Sequence, residues 1–416
     1  MAKFRGLIRI VWRSLRQHAL STLVTTFSVA LAAGLVMAVF SLQTQTYRAF
    51  TGGNFGFDAV LGARGSPLQL VLNAVFHLET SPGNIPWRLF QQMQRDPRVE
   101  LAIPYAVGDH YKGFRIVGTT DVLFTDFEYQ QGKKYELKHG RFFDSTRQEA
   151  VLGSFAAQKT GLKVGDTFHP THGLGTGGHD HDEDYVVTGI LKPTNTPSDR
   201  VIWIPIEGVF RMAGHVLRGS GEVYQPVRGQ PIPDAHKEVS VVMLKLRDPQ
   251  GGFFLDQEIN KQGNMATLAY PIGRVMADLF EKLGWIHRVL TIVAYLVVLV
   301  AAGSILASIY NTISERRQQF AILRALGARR RTLFTVIILE STLIGVWGSL
   351  VGFGFYLLIV GVAGIVIRAQ TGVVLHLFLP QWIFLLAPLG IILLSALAGV
   401  LPALRAYATD VAQHLS

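Results

Sequence analysis

The chain has 416 residues, of which 49% are hydrophobic and only 16% charged, with a formal net charge of +10 and no cysteine. Soluble domains carry nearer a quarter charged residues, so composition alone points to a membrane class. The basic excess needs no nucleic-acid partner, because arginines flanking apolar segments account for part of it, and a domain without cysteine must be held by its own core rather than by disulfides.

In chain order, a basic segment with Lys3, Arg5, Arg9, Arg13 and Arg16 precedes an apolar run over 19–42. Ala30-Leu31-Ala32 resembles a signal-peptidase site, but the apolar run continues about ten residues past it, so the segment reads as an uncleaved first transmembrane helix. About 240 residues follow with no spanning segment and must form an extracytoplasmic domain. Within it 57–63, 114–120, 184–192, 200–206 and 239–246 are short, β-rich and bounded by turn residues, whereas 86–96 and 274–283 read as helices. A mixed α+β domain is expected.

Residues 286–309 and 382–401 each match the roughly 20 residues that cross a bilayer. The run from Leu333 to about Ile367 is longer than one crossing needs and is expected to continue out of the membrane as a tilted or extended helix. Between the second and third runs lies ERRQQFAILRALGARRR, 315–331, in which Phe320, Leu323 and Leu326 recur at helical spacing while Arg316, Arg317, Gln318 and Arg324 face water or a partner. The 311–332 loop holds six arginines and the 368–381 connection only Arg368. By the positive-inside rule both termini and the 311–332 loop are cytoplasmic.

The 315–331 stretch followed by LFTVIILESTLIGVWGSLVGFGF (333–355) resembles the signature of the FtsX/MacB-type permeases of ABC systems. GRFF, EAVLGSFAAQKTGLKVGDTF and YVVTGILKPTNTPSDRVIWIPIE, within 140–207, resemble the MacB-type periplasmic core domain in order and content. LPALRAYATD (401–410) resembles the family's ending, with Val411 in place of its final proline.

The resemblance implies an α-helical membrane protein with four transmembrane helices and a large α+β extracytoplasmic domain between the first and second. Its parts are a cytoplasmic basic segment (1–18), helix 1 (19–45), the outer domain (46–284, with an inserted lobe near 130–235) and helix 2 (285–310). A cytoplasmic coupling segment (311–332), helix 3 (333–367), an outer loop (368–381), helix 4 (382–402) and a cytoplasmic tail (403–416) complete the plan. It further implies that Glu315, Arg316, Arg317, Phe320, Leu323, Arg324, Leu326 and Gly327 touch an ATPase. No G-x-x-x-x-G-K-[ST] phosphate loop occurs in the chain, so ATP is expected on a separate ABC ATPase subunit and none on this non-catalytic one. The layout is expected to be that of a stand-alone permease in a bacterial inner membrane. It would pair with a second copy or a paralogue, contact membrane lipid and act on a periplasmic or outer-membrane protein or cargo. An FtsX-like regulator of a cell-envelope hydrolase and a metal-linked uptake accessory are the alternatives.

Three further features carry chemistry. Glu340 is the acidic residue well inside an apolar run, an expensive position, where it either pairs with an arginine of the coupling segment or reaches interfacial water from the helix end. Gly345, Gly348 and Gly352 include a small-x-x-x-small spacing that lets helices approach closely, between subunits or within one. The loop HPTHGLGTGGHDHDEDY (169–185) places His169, His172, His179 and His181 with Asp180 and Asp182, residue types that suit zinc or copper, although such loops are often only solvated. It lacks an H-E-x-x-H helix and an evident nucleophile, which argues against a metallohydrolase.

Overall fold

The computed structural model describes residues 2–52, 56–172, 183–212, 217–218, 223–224, 230, 232–315 and 329–408. Two compact units result: a membrane unit of 1–46, 283–365 and 375–416, and an outer unit of 47–282 with 366–374.

Four helices in the described residues are long and apolar enough to cross a bilayer. The first span is Ala19–Thr51, the second Gly284–Glu315, the third Arg330–Thr371 and the fourth Ile383–Ala408. A hydrophobic run ends where side chains turn polar, but the helix does not, since backbone hydrogen bonds continue as long as nothing breaks them. The third span therefore runs beyond the expected 333–367: its 42 residues make about 60 Å of helix at 1.5 Å per residue, twice a bilayer's apolar thickness of about 30 Å. The basic N-terminal segment is itself a helix, Ala2–Gln17. Val11 and Leu15 lie on its buried face, and Arg9, Arg13 and Arg16 on the exposed one.

Small residues let the membrane unit pack closely. A Cβ on Gly34 would sit 2.5 Å from Phe355 Cβ, one on Gly352 would sit 2.7 Å from Ala33 Cβ, and one on Gly348 would strike Val29. The first and third spans thus meet backbone to backbone. On another face of the third span, a Cβ on Gly345 would lie 2.8 Å from Ser395 Cβ of the fourth. The three glycines singled out by spacing accordingly pack within one chain.

The outer unit is built on one mixed sheet, eleven-stranded among the described residues. Its main path runs Ala266–Ala269, Ala59–Ala63, Val241–Leu246, Val99–Tyr111, Phe114–Thr119, Ile202–Pro205, Glu149–Leu152, Tyr185–Leu191 and Leu137–Gly140. Strand alternation sends successive residues to opposite faces, and here both faces are apolar. Leu61, Ile116, Leu152, Ile202 and Leu244 enter one core, and Val60, Val117, Val151, Trp203 and Met243 the other. Helices Trp87–Arg95 and Ile206–Arg211 cover the first face, and Pro67–Ala74 with Ile272–Lys282 the second. The lobe expected near 130–235 is inserted in chain order but is not a separate body. Ile202–Pro205 pairs in parallel with Phe114–Thr119, so the insertion extends the same sheet and shares both cores.

If the glycine contact sets the distance between the first and third spans, Gly352→Val should lower the melting temperature of the detergent-solubilised chain, by the equivalent of about 1–3 kcal/mol for overpacking. Gly361→Ala, where an added Cβ meets nothing within 4 Å, should leave it unchanged. Equal melting curves for both variants would refute the contact.

Candidate functional site

The segment expected to engage an ATPase falls largely outside the described residues: Arg316, Arg317, Phe320, Leu323, Arg324, Leu326 and Gly327 lie within 316–328, and Glu315 is described only as the last residue of the second span. What the structure fixes is its two ends, the C-terminus of the second span and the N-terminus of the third. Ten residues into the third span, the buried carboxylate of Glu340 accepts a 2.8 Å hydrogen bond from Ser14 Oγ, itself fully buried. The amphipathic N-terminal helix is thereby tied to the third span at the point where an intramembrane charge most needs a donor.

The other end of the third span is gripped by the outer unit's own residues. Val366–Val374 belongs to that unit, Val373 is buried in its second core, and Ile367 packs against it. The grip comes from the turn Lys192–Arg200. Asp199 folds this turn by accepting hydrogen bonds from Thr194 N at 2.9 Å, Asn195 N at 2.8 Å and Thr194 Oγ1 at 2.9 Å. Burial nonetheless raises the Asp199 pKa, against the lowering effect of those donors. Tyr135 Oη donates to Ser198 Oγ at 2.8 Å and braces the turn from behind. Arg200 then donates through Nη1 to the carbonyl of Gln370. Gly372 has φ of +76° and comes so close that a Cβ would lie 2.9 Å from Thr196 O. Only glycine meets both demands. Arg368 lays its guanidinium 5.4 Å from the Phe155 ring centre. Hydropathy alone assigned 368–381 to an outer loop; helix Arg330–Thr371 and this grip replace its first residues.

Beside the turn, His77 occupies a left-handed conformation at φ 56° and its ring meets Trp203 edge-on, with centroids 6.1 Å apart. The residue as a whole is half-buried, and Nδ1 is sealed from solvent. Burial, reinforced by the charges of Arg115 and Arg200, pushes the His77 pKa down to about 3. Arg115 is buried, donates to the Glu79 carbonyl at 2.7 Å, and is itself pulled down to about 10 by burial.

The histidine-rich loop is described at its two ends only. His172 Nδ1 lies 3.0 Å from the buried Asp109 carboxylate, and His169 Nε2 lies 3.3 Å from Asp184. His179, His181, Asp180 and Asp182 lie outside the described residues. Among the described residues no three His, Asp or Glu side chains converge as a metal site would require.

Two family models match the chain: the MacB-like periplasmic core domain over residues 20–251 and the FtsX-like permease C-terminal domain over 291–411. An uncharacterized ABC transporter permease of Methanocaldococcus jannaschii is 25% identical over 279 residues, 66% of this chain and 63% of that protein. The lipoprotein-releasing system transmembrane protein LolC of Neisseria meningitidis is 27% identical over 150 residues, 34% of this chain and 36% of LolC. The chain therefore spans less than two thirds of the length of these relatives. The periplasmic region of MacB from Actinobacillus actinomycetemcomitans aligns with 57% of this chain and 98% of its own at 10% identity and a TM-score of 0.35. The extracellular domain of YknZ from Gram-positive bacteria aligns with 51% and 99% at 13% identity and a TM-score of 0.29.

The pKa of His77 carries a test of the packing around the turn. A base whose folded pKa lies below its unfolded value of about 6.5 binds a proton more readily when unfolded, so it favours folding fully above about 6.5 and opposes it progressively as pH falls toward 3. Acidification from pH 7 to 4 should therefore lower the melting temperature of the wild-type chain more than that of His77→Asn, in which asparagine tolerates the same φ without titrating. Parallel pH profiles would show that His77 titrates normally.

The MacB-like match alone covers more than half of the sequence and the FtsX-like match covers most of the rest of the membrane unit, and the chain belongs to the FtsX/MacB-type family of ABC transporter permeases.

Proposed function

We propose that this permease converts the cycle of a separate ABC ATPase into motion of its outer unit, and that the third span carries the motion. One observation supports this reading above the others: helix Arg330–Thr371 starts directly after the basic 316–328 segment, and at its other end Ile367 packs against the outer unit's second core, which Val373 just beyond it enters. An α-helix held at both ends transmits displacement along its axis, because its backbone hydrogen bonds run parallel to that axis. The ATPase docks on the arginines of 311–332, which with the arginines before the first span face the cytoplasm of a bacterial inner membrane. The permease pairs with a second copy or a paralogue, and the outer unit moves or hands over an envelope cargo or partner. Lipoprotein release, the role named for LolC, is one member of that class of work.

Docking and transmission separate cleanly by mutation. Reversing Arg317 and Arg324 together should abolish co-purification of the ATPase while leaving the chain inserted. Arg200→Ala combined with Gly372→Val should leave ATPase binding and basal hydrolysis intact but reduce cargo movement at least tenfold, because the grip on the third span is lost. Full transport by the second pair would refute transmission through this helix, and ATPase binding by the first pair would refute the docking site.

A lesser proposal concerns the histidine loop. Asp109 holds the His172 ring through Nδ1, the arrangement by which a carboxylate orients a metal-ligating imidazole. We propose that zinc or copper binds there, and changing His169, His172, His179 and His181 together to alanine should remove about one ion per chain as read by elemental analysis. Its affinity should fall as pH drops through about 6 to 7, since protons compete for the same nitrogens. Equal metal content in both proteins would leave the loop merely solvated.

A further inference from the structure

Where the N-terminal helix meets the first and third spans, the membrane unit carries a groove of about 600 Å³, within the roughly 300–1,000 Å³ of small-molecule sites. Its walls are almost wholly apolar. Trp12 and Trp347 pack against each other in one wall, with ring centres 6.4 Å apart, and Leu23, Phe27 and Val351 line the rest. Leu23, Phe27 and Trp347 face outward here, as large apolar side chains do along all four spans. From Ala19 to Phe27 the first span descends about 12 Å at 1.5 Å per residue, so one end of the groove is two turns deeper than the other.

The charge lies at the shallow end. Arg16, the one ionised side chain in the lining, places its guanidinium 5.7 Å from the Trp12 ring centre. Among the described residues no acidic side chain lines the groove, the third span's one carboxylate, Glu340, being bonded to Ser14 instead, and the sequence contains no aspartate or glutamate before Asp58. Exposed Arg9 and Arg13 on the same helix add to the positive field. An occupant must therefore bring an anionic head for Arg16 and an apolar tail for the tryptophan and phenylalanine walls. Basic pockets beside membrane helices select anionic head groups in this way, and guanidinium pairs with phosphate in bidentate fashion.

We infer that this groove binds one anionic phospholipid per chain, with the phosphate at Arg16 and an acyl chain running along the Trp12–Trp347 pair toward Phe27. The site needs no assignment of leaflet and does not depend on the transmission mechanism. It makes the N-terminal helix a lipid-bound element, and Ser14, two residues from Arg16, passes the helix's position to Glu340 of the third span.

The test uses the full chain in mild detergent, to which phosphatidylglycerol or phosphatidylcholine is added before native mass spectrometry. Wild-type protein should retain one phosphatidylglycerol under activation that strips phosphatidylcholine, a preference of at least fivefold. Arg16→Gln should abolish the preference, and Thr26→Trp, which fills the groove without touching its charge, should abolish retention of either lipid. Unchanged melting temperatures for both variants confirm that folding is intact. Equal retention of the two lipids by the wild-type chain, or retention unaffected by the substitutions, overturns the inference. Because the chain has no cysteine, Leu23→Cys reports its own neighbours, and efficient disulfide cross-linking between two copies in vesicles would show that a second chain covers the groove and overturn the lipid reading.

Discussion

The close approach of the first and third spans is the contact on which the membrane unit depends. In lipid the hydrophobic effect gives helices no reason to associate, so van der Waals contact between small-residue faces has to do it. Gly34, Gly348 and Gly352 supply those faces. With the two backbones fixed at that distance, Phe27 reaches Phe355 edge-on, Trp12 faces Trp347, and Ser14 reaches Glu340. Bulk at any of the three glycines would move all of these together.

The outer unit solves a different problem. A mixed sheet with two apolar faces needs cover on both sides, and strands buried on both faces read as near-continuous hydrophobic runs rather than alternating ones. Val241–Leu246 and Ile202–Pro205 have that character, and helices on each face provide the cover. The polar groups that remain inside are handled one by one, as where Arg141 clamps the buried Glu149 carboxylate in two hydrogen bonds. That clamp holds the Glu149 pKa below the usual carboxylate range.

Much of this plan is readable from residue patterns, and the failures have local causes. Long apolar runs locate the four spans because bilayer thickness imposes a length on them. Their ends are not readable, because hydropathy stops at Ile367 while the helix continues through Arg368 to Thr371, where only the contacts of the outer unit make a polar turn worth keeping. Strand Val99–Tyr111 escapes the pattern because Pro104, Gly108 and a register shift between Val107 and His110 interrupt its alternation. The continuity of the insertion with the main sheet rests on Ile202–Pro205 finding Phe114–Thr119 more than eighty residues away, a pairing that no local signal encodes. The Arg200 and Gly372 grip was invisible for the same reason: one residue lies in a turn and the other follows a membrane helix.

The placement of Val373 has a consequence for how the protein is made. Its side chain completes a core whose other members lie between Phe50 and Met276, yet during synthesis it emerges only after the second span, the basic segment and the third span. The outer unit cannot close this core from its continuous segment 47–282 alone. The core stays incomplete until the third span has been made and has brought Val373 to it. Closure of this core thus depends on the third span reaching its place, and a chain in which it did not would leave apolar surface of the outer unit uncovered.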